Sequence, residues 1–465
     1  MQKPCHFYLL PIGGTATAAL AGLLHETGDR VSGVDSALYP PTSELLAELG
    51  VPVRLGYDPA RIPADLDQVI VGNAIPRSNP EVQAVLERGL PYTSQAAAFG
   101  ERFCRPARAV VVAGTHGKTT TTALAAHLLT AAGLDPTALI GGVPRGGRPW
   151  RLGAGGWTVV EGDEYNTAFF DRGPKFMHYH PHLFVVGNVE FDHGDIYPDL
   201  DAILAAFRAG TALVGADGHV VANSGDEGAR AVAAAHPGTV WYGLDPKAAL
   251  WCSAWGHRDG LLRATLRWDG SVFDVEPPLV GRHNLDNVMA AVACALLAGI
   301  APAAIVAATA TFPGVRRRLD EVGEGGGVTV VDDFAHHPTA VGLTLDGARH
   351  RYPGRRLVVV FEPRSLTAGR AVFASAYEEA LARADVAVVA PVFHRVRLKD
   401  DVLDRAGLVR HLRARGVRAE APADGTDVIP CLVDLLRAGD VVVCMSSGDF
   451  GGLPRRLLDV LQGVR

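Results

Sequence analysis

Short, unbroken apolar runs recur along this 465-residue chain and alternate with Ala- and Leu-rich stretches. The runs Ala109–Val112, Thr158–Val160, Leu183–Val186, Val328–Val331, Leu357–Val360, Val386–Val389 and Val441–Val443 are rich in β-branched residues. They do not alternate apolar with polar, which suits strands buried on both faces of a parallel sheet. The pattern predicts an α/β fold. Ligands of such sheets bind beyond the carboxyl ends of the strands. The segments after the runs are polar or glycine-rich there: GTHGKT, EGDE, GNVEFDH, DDFAHH, EPRS and SSGDFGG.

Three blocks follow from the same pattern. Residues 1–107 carry an early strand, a glycine turn and a helix. Residues 108–313 open with Arg108–Ala113 and a phosphate-loop candidate. Residues 314–465 begin after the turn Phe312–Pro313–Gly314 and before the basic run Arg316–Arg318. The patches Gly141–Gly147, Gly153–Gly156 and Gly323–Gly327 are expected to be surface turns or hairpin loops.

The length asks for two to four domains. Lys and Arg number 44 and Asp and Glu 50, a net charge of −6. Such a balance gives no general attraction to nucleic acid or to an anionic membrane. An anionic substrate must then be held by local cations and backbone amides. No apolar run reaches the roughly 20 residues of a membrane-spanning helix, and the N-terminal stretch lacks the pattern of a signal peptide. Six scattered cysteines without a CxxC pair are expected to be reduced thiols in a cytoplasmic protein.

The segment from Ala109 to Thr122 reads as strand, loop and helix. Gly114 and Gly117 allow a tight turn, with Thr115 and His116 between them, that points backbone N–H groups at phosphate oxygens. Lys118 places a cation at the β- and γ-phosphates, Thr119 is suited to ligate Mg²⁺, and Thr120 opens the helix. The helix runs to Ala132 and stops at Gly133. The loop is a shortened version of the standard pattern, with Val112 where a glycine is usual.

Glu161-Gly-Asp-Glu164 and Gly187-Asn-Val-Glu-Phe-Asp-His193 each follow a buried run in the same block. Carboxylates at a strand end beside a phosphate loop are placed to hold Mg²⁺. By itself the first segment fits a solvated acidic turn equally well. A lone histidine such as His193 is more often structural than a ligand. Its metal reading gains weight because the acidic strand ends and the loop share one block.

In this order, GTHGKTTTT, EGDE, NVEFDHGD, GRHNLDN and DDFAHHPT resemble the Mur ligases of peptidoglycan metabolism. Further segments resemble the branch acting on UDP-N-acetylmuramate itself, and within it the members that attach a preformed tripeptide. These are VDSALYPPTS, GNAIPRSNPEV, YTSQ, EYNTAFFD, FEPRS and MSSGDFGG. The resemblance implies three domains: a Rossmann-like UDP-sugar domain, a central P-loop ATPase-type domain, and a C-terminal Rossmann-like α/β domain for the amine substrate and part of the nucleotide site. It implies ATP contacts from the loop residues, His283, Asn284, Asn287, Arg317 of the pair Arg317–Arg318, and Asp333 at the ribose. Lys118 and Thr119 would serve the phosphates and a first Mg²⁺, and Glu161 and His193 a second. UDP-sugar contacts fall on Gly13, Gly14, Asp35, Ser36, Asn73 and Ser94. His336 would lie at the incoming amine, with Arg364 on the peptide. Pro11 departs from the pattern, standing where the family has glycine before the first turn. It removes an N–H and so puts one diphosphate contact in doubt. The modified lysine of some Mur ligases is not identifiable.

The implied reaction joins UDP-N-acetylmuramate to the murein tripeptide L-alanyl-γ-D-glutamyl-meso-diaminopimelate through an acyl phosphate, with ATP and Mg²⁺. A monomer free of nucleic acid and membrane is the expectation. Two rivals stand beside it: a ligase that adds L-alanine alone, and a non-enzymatic nucleotide-binding switch that keeps the P-loop fold.

Overall fold

The computed structural model describes residues 4–39, 42–194 and 196–463. Outside them lie Met1–Lys3 of the N-terminal stretch, Pro40 and Pro41 of the VDSALYPPTS segment, Asp195 of the NVEFDHGD segment, and the last two residues.

Three sheets succeed one another along the chain. The first contains β1 (His6–Leu10), β2 (Arg30–Asp35), β3 (Val53–Leu55), β4 (Gln68–Val71) and β5 (Tyr92–Ser94), all parallel, in the order β3-β2-β1-β4-β5. The strand order reverses between β1 and β4. A ligand crevice is expected there, above the turn Pro11–Gly14.

The second sheet is built from β6 (Arg108–Ala113), β7 (Thr137–Leu139), β8 (Trp150–Arg151), β9 (Trp157–Gly162), β12 (Pro181–Val186), β13 (His219–Asn223), β14 (Thr239–Gly243), β15 (Leu250–Arg258), β16 (Leu261–Trp268) and β17 (Ser271–Val275). A separate hairpin, β10 (Asn166–Ala168) and β11 (Asp171–Pro174), follows β9. The sheet order is β17-β16-β15-β14-β13-β12-β6-β9-β7-β8. Its middle is parallel, as the apolar runs imply, but β15–β17 form an antiparallel meander. In β16 the buried residues Leu262, Ala264 and Leu266 alternate with half-exposed ones. That marks a strand with one wet face.

The third sheet holds β18 (Asp320–Gly325), β19 (Val328–Asp333), β20 (Leu357–Phe361), β21 (Val386–Val389), β22 (Arg418–Glu420) and β23 (Val441–Met445), in the order β18-β19-β23-β20-β21-β22. Only β18 runs antiparallel in it. Gly326 and Gly327, at φ 57° and 75°, make the β18–β19 turn, as expected for the Gly323–Gly327 patch.

The seven apolar runs all fall in strands, and their two faces enter different cores. In β6, Val110 and Val112 join one cluster while Ala109, Val111 and Ala113 join the other. The units are also tied together. Trp150 of β8 packs against Gly22 of the first helix, Thr15–Glu26, and donates its indole N–H to Glu26 at 3.0 Å. Phe312 and Val315 still belong to the central core, whereas Leu319 belongs to the third. Among the described residues no helix is long and apolar enough to cross a membrane. Cys104, Cys252, Cys294, Cys431 and Cys444 are free thiols.

Candidate active site at the phosphate loop

The loop leaves β6 through Gly114 at φ 137° and enters the Lys118–Ala131 helix through Gly117 at φ 81°. Positive φ disfavours any residue with a Cβ. Space forbids one too, because a Cβ at Gly117 would press on the Asn287 amide and one at Gly114 on the backbone of Gly187 and Asn188. Asn188 grips the loop from the end of β12. Its side chain accepts from His116 N at 2.8 Å and donates to His116 O at 3.1 Å, and its carbonyl accepts from Thr115 N at 2.9 Å.

The charged groups predicted from the strand ends do converge here. Lys118 Nζ donates to Glu164 at 2.8 Å and to the Gly114 carbonyl at 2.8 Å. Glu164 is also 3.1 Å from His193 Nε2. Thr119 Oγ1 donates to Glu161 at 3.2 Å, and Gly141 N donates to the other Glu161 oxygen at 2.6 Å. The Gly141–Gly147 patch is therefore not merely a surface turn, because its first residues line the site. A side chain at Gly142 would meet Thr119.

Electrostatics here are those of a crowded anionic cleft. Burial, and then the negative charge of Asp163, push the Glu161 carboxyl up to about 7. Burial works against the charge on Lys118, but Glu164 and Asp163 outweigh it and raise its pKa. For His193, burial is likewise outweighed by the Glu164 hydrogen bond and Asp192, so its pKa is raised. A hydroxyl and a carboxylate facing each other are hard oxygen donors of the kind Mg²⁺ takes. Burial is the larger cause of the Glu161 shift, so a cation bound there would stabilise the charged carboxylate. Thr119 and Glu161 thus fit a Mg²⁺ ion, with His193 beside Glu164 rather than Glu161.

Other assigned residues are engaged differently. Arg317 turns away from the loop and donates to the carbonyls of Ser446 and Gly448. Its neighbour Arg318 reaches Thr119 Oγ1 at 3.2 Å. Both guanidinium groups lie over the Phe334 ring, at 5.1 and 4.8 Å, and differ in their hydrogen-bond partners. Asp333 accepts from Leu319 N at 2.7 Å, Ala335 N at 2.8 Å and Thr344 Oγ1 at 3.3 Å. These contacts hold its carboxylate at the start of the third unit. Asn287 accepts from Thr121 and donates to Asn284, which donates to the Val280 carbonyl. These two amides brace the loop from behind. His283 is different: its Nδ1 is buried without a partner, and burial, then Arg318, hold its pKa down at about 4. A neutral ring remains available to a base.

In the first unit, Asp35 accepts from Gly13 N at 2.8 Å and from Ser36 N at 2.7 Å. Its carboxylate closes the turn, and the Gly13 amide is already satisfied. Gly14 starts the first helix, and Thr42 Oγ1 holds the Gly13 carbonyl at 2.9 Å. Pro11 packs on Gly72. Ser94 is buried and caps the Gln95–Phe99 helix by accepting from Ala97 N at 3.1 Å. Ser36 and Asn73 are exposed at the ends of β2 and β4. Thr120 is buried in the packed face of its helix.

A second cluster lies on the far side of His116. Thr339 Oγ1 donates to Glu190 at 2.7 Å, and the same Glu190 oxygen is 3.6 Å from His116 Nε2 and 3.8 Å from His337 Nδ1. Burial raises the Glu190 carboxyl, but His116 and Thr339 outweigh it and bring it down to about 2. Burial, then His116, hold His337 at about 4. His336 sits beside this cluster. Burial lowers its pKa, against the pull of Asp192. Arg364 pairs with Asp449 at 3.1 Å and stacks on Phe393. Sequence reading passed over Glu164, Asn188, Glu190 and Asp192 as working residues. The one available signal was that all four stand in the polar segments after buried strands.

Family models match three stretches of the chain. They describe the Mur ligase family catalytic domain at residues 6–105, the Mur ligase middle domain at 157–295, and the Mur ligase glutamate ligase domain at 317–448. The UDP-N-acetylmuramate–L-alanyl-γ-D-glutamyl-meso-2,6-diaminoheptandioate ligase of Escherichia coli is 36% identical over 98% of both chains. The UDP-N-acetylmuramate–L-alanine ligase of Burkholderia ambifaria is 35% identical over 99% of this chain and 98% of its own. Among solved structures, a murein peptide ligase from Psychrobacter arcticus superposes with a TM-score of 0.77 at 30% identity, over 99% of each chain.

Proposed function

The chain belongs to the Mur ligase family, and from that premise we propose that the cluster around Lys118 is its catalytic centre. The protein is an ATP-dependent ligase that joins UDP-N-acetylmuramate to the tripeptide L-alanyl-γ-D-glutamyl-meso-diaminopimelate in peptidoglycan recycling. The lactyl carboxylate attacks the γ-phosphate of ATP, giving an acyl phosphate and ADP. The peptide's amine then attacks the acyl carbonyl, phosphate leaves, and the amine proton passes to a base. The reaction brings two anions together, so its barrier is mainly electrostatic.

The observation that carries this reading is the pairing of Lys118 with Glu164 and of Thr119 with Glu161 at one loop, reached by Arg318 from the third unit. Lys118 gives its charge to the phosphates. The loop amides and the helix N-terminus add partial positive charge. Thr119 and Glu161 would hold a Mg²⁺ ion and His193 a second, and these ions supply the charge screening that the attack requires. Arg318 adds a fixed cation and ties closure of the third unit to the loop. His336, whose pKa burial lowers against the pull of Asp192, is the candidate to accept the amine proton. Exclusion of water protects the acyl phosphate.

The assay is ADP release with ATP, Mg²⁺ and UDP-N-acetylmuramate, offering either the tripeptide or L-alanine. Turnover with the tripeptide is expected. The 35% identity to an L-alanine ligase makes the second arm informative, since exclusive turnover with L-alanine overturns the tripeptide reading. ATP binding without turnover on either amine would leave only a nucleotide switch.

A further inference from the structure

We propose that His116, Glu190 and His337 form a further metal site, separate from the Mg²⁺ positions, for a transition-metal dication of the Zn²⁺ class, between the phosphate loop and the third unit. One ligand atom from each residue lies within 4.8 Å of the other two. Donors about 2.0–2.1 Å from a tetrahedral ion stand roughly 3.3–3.4 Å apart. The spacings of 3.6 Å from His116 Nε2 and 3.8 Å from His337 Nδ1 to the same Glu190 oxygen need only small side-chain adjustments to reach that.

Two further observations point to a ligand. His116 Nε2, one of the proposed donors, is buried and has no hydrogen-bond partner, although buried ring nitrogens are normally satisfied, and an ion on His337 Nδ1 would replace only its long 3.4 Å bond from Thr339 N. The donors are also oriented by other groups, as metal ligands usually are. Thr339 holds the Glu190 carboxylate at 2.7 Å, and Asn188 fixes the backbone of His116 on both sides.

The donor set separates this site from the one at Thr119 and Glu161. Two imidazoles and one carboxylate suit Zn²⁺, whereas hydroxyl and carboxylate oxygens suit Mg²⁺. Three protein ligands leave a fourth position open. The ligands come from the phosphate loop, the segment after β12, and the cap of the Pro338–Arg351 helix. An ion bound there joins the central unit to the third, so it acts as a clasp on the loop.

Co²⁺ titration of the full-length protein in excess Mg²⁺ tests this, read by visible absorption. A tetrahedral nitrogen-and-oxygen site absorbs strongly, while a six-coordinate oxygen site absorbs weakly. One equivalent of strongly absorbing Co²⁺ is expected, displaced by Zn²⁺, with a rise in Tm on Zn²⁺ addition. Glu190→Gln and His337→Asn should each weaken Co²⁺ binding at least about 10-fold. Asparagine is itself a good N-cap, so His337→Asn keeps the helix start, and His116→Gln removes a third ligand independently. Circular dichroism of the metal-free variants checks that they fold. His193→Asn should leave the absorption unchanged. Absence of tetrahedral absorption up to millimolar Co²⁺ overturns the proposal, as does absorption that survives folded ligand variants or disappears with His193→Asn.

Discussion

Two glycine turns in this molecule follow the first strand of a parallel sheet, yet they are finished in opposite ways. After β1, the Gly13 amide is taken by Asp35, a carboxylate from the neighbouring strand. After β6, the turn at Gly114–Gly117 carries its own lysine, and the nearby carboxylates bind the lysine and threonine side chains instead. The first turn is neutralised by its own fold. The second keeps a lysine held by Glu164 and the Gly114 carbonyl, beside the buried Glu161 carboxyl. A glycine turn at a strand end is thus a place where an anion can sit, and the surrounding side chains decide how much charge it offers.

The sharpest way to break this contrast is to remove the cation. Lys118→Ala should lower turnover by about 10³-fold, the scale for losing one charge that stabilises a transition state, with ADP release as the readout. Near-normal turnover would make the second turn no more chemical than the first. Glu161→Gln keeps the shape and removes the charge. It should cost about 10²-fold in kcat and raise the Mg²⁺ concentration needed for half-maximal rate, measured by Mg²⁺ titration.

The two arginines sharpen the comparison further. Arg318→Ala should cost about 10²-fold in kcat/KM, because Arg318 touches Thr119. Arg317→Ala should cost only a few-fold and act chiefly through Tm, because its hydrogen bonds go to Ser446 and Gly448. Equal kinetic defects would contradict that division. At the first turn, Asp35→Asn should raise KM for UDP-N-acetylmuramate by about 3- to 10-fold with kcat retained, the mark of lost ground-state binding.

The smallest effect is one of pH. His283 is held at about 4, below its ordinary 6.5, so on acidification the unfolded chain takes up this proton before the folded one does. Its contribution to stability is therefore complete above pH 6.5 and declines as pH falls toward 4. Tm measured between pH 7.5 and 4.5 should fall, and His283→Asn should make the fall shallower.

By itself, the order of residues determined the class of fold and the location of the chemistry. Short, unbroken β-branched runs bounded by turns suit strands covered on both faces, and all seven became strands. Polar segments after those strands then had to meet at one sheet edge, which put Lys118, Thr119, Glu161 and His193 within reach of a common site. The meander β15–β17 was less legible, since a strand with one wet face is marked only by alternation. Partnership among side chains was decided by tertiary structure alone. Asp35, Ser94 and Asp333 are read in the sequence as ligand contacts, and the structure adds that each also holds a neighbouring turn or helix start. Arg317 and Arg318 are adjacent in sequence and both lie over Phe334, yet their hydrogen bonds go to different groups. A hydrogen bond forms over about 3 Å, and which groups come that close depends on how the three sheets pack, which no local pattern encodes.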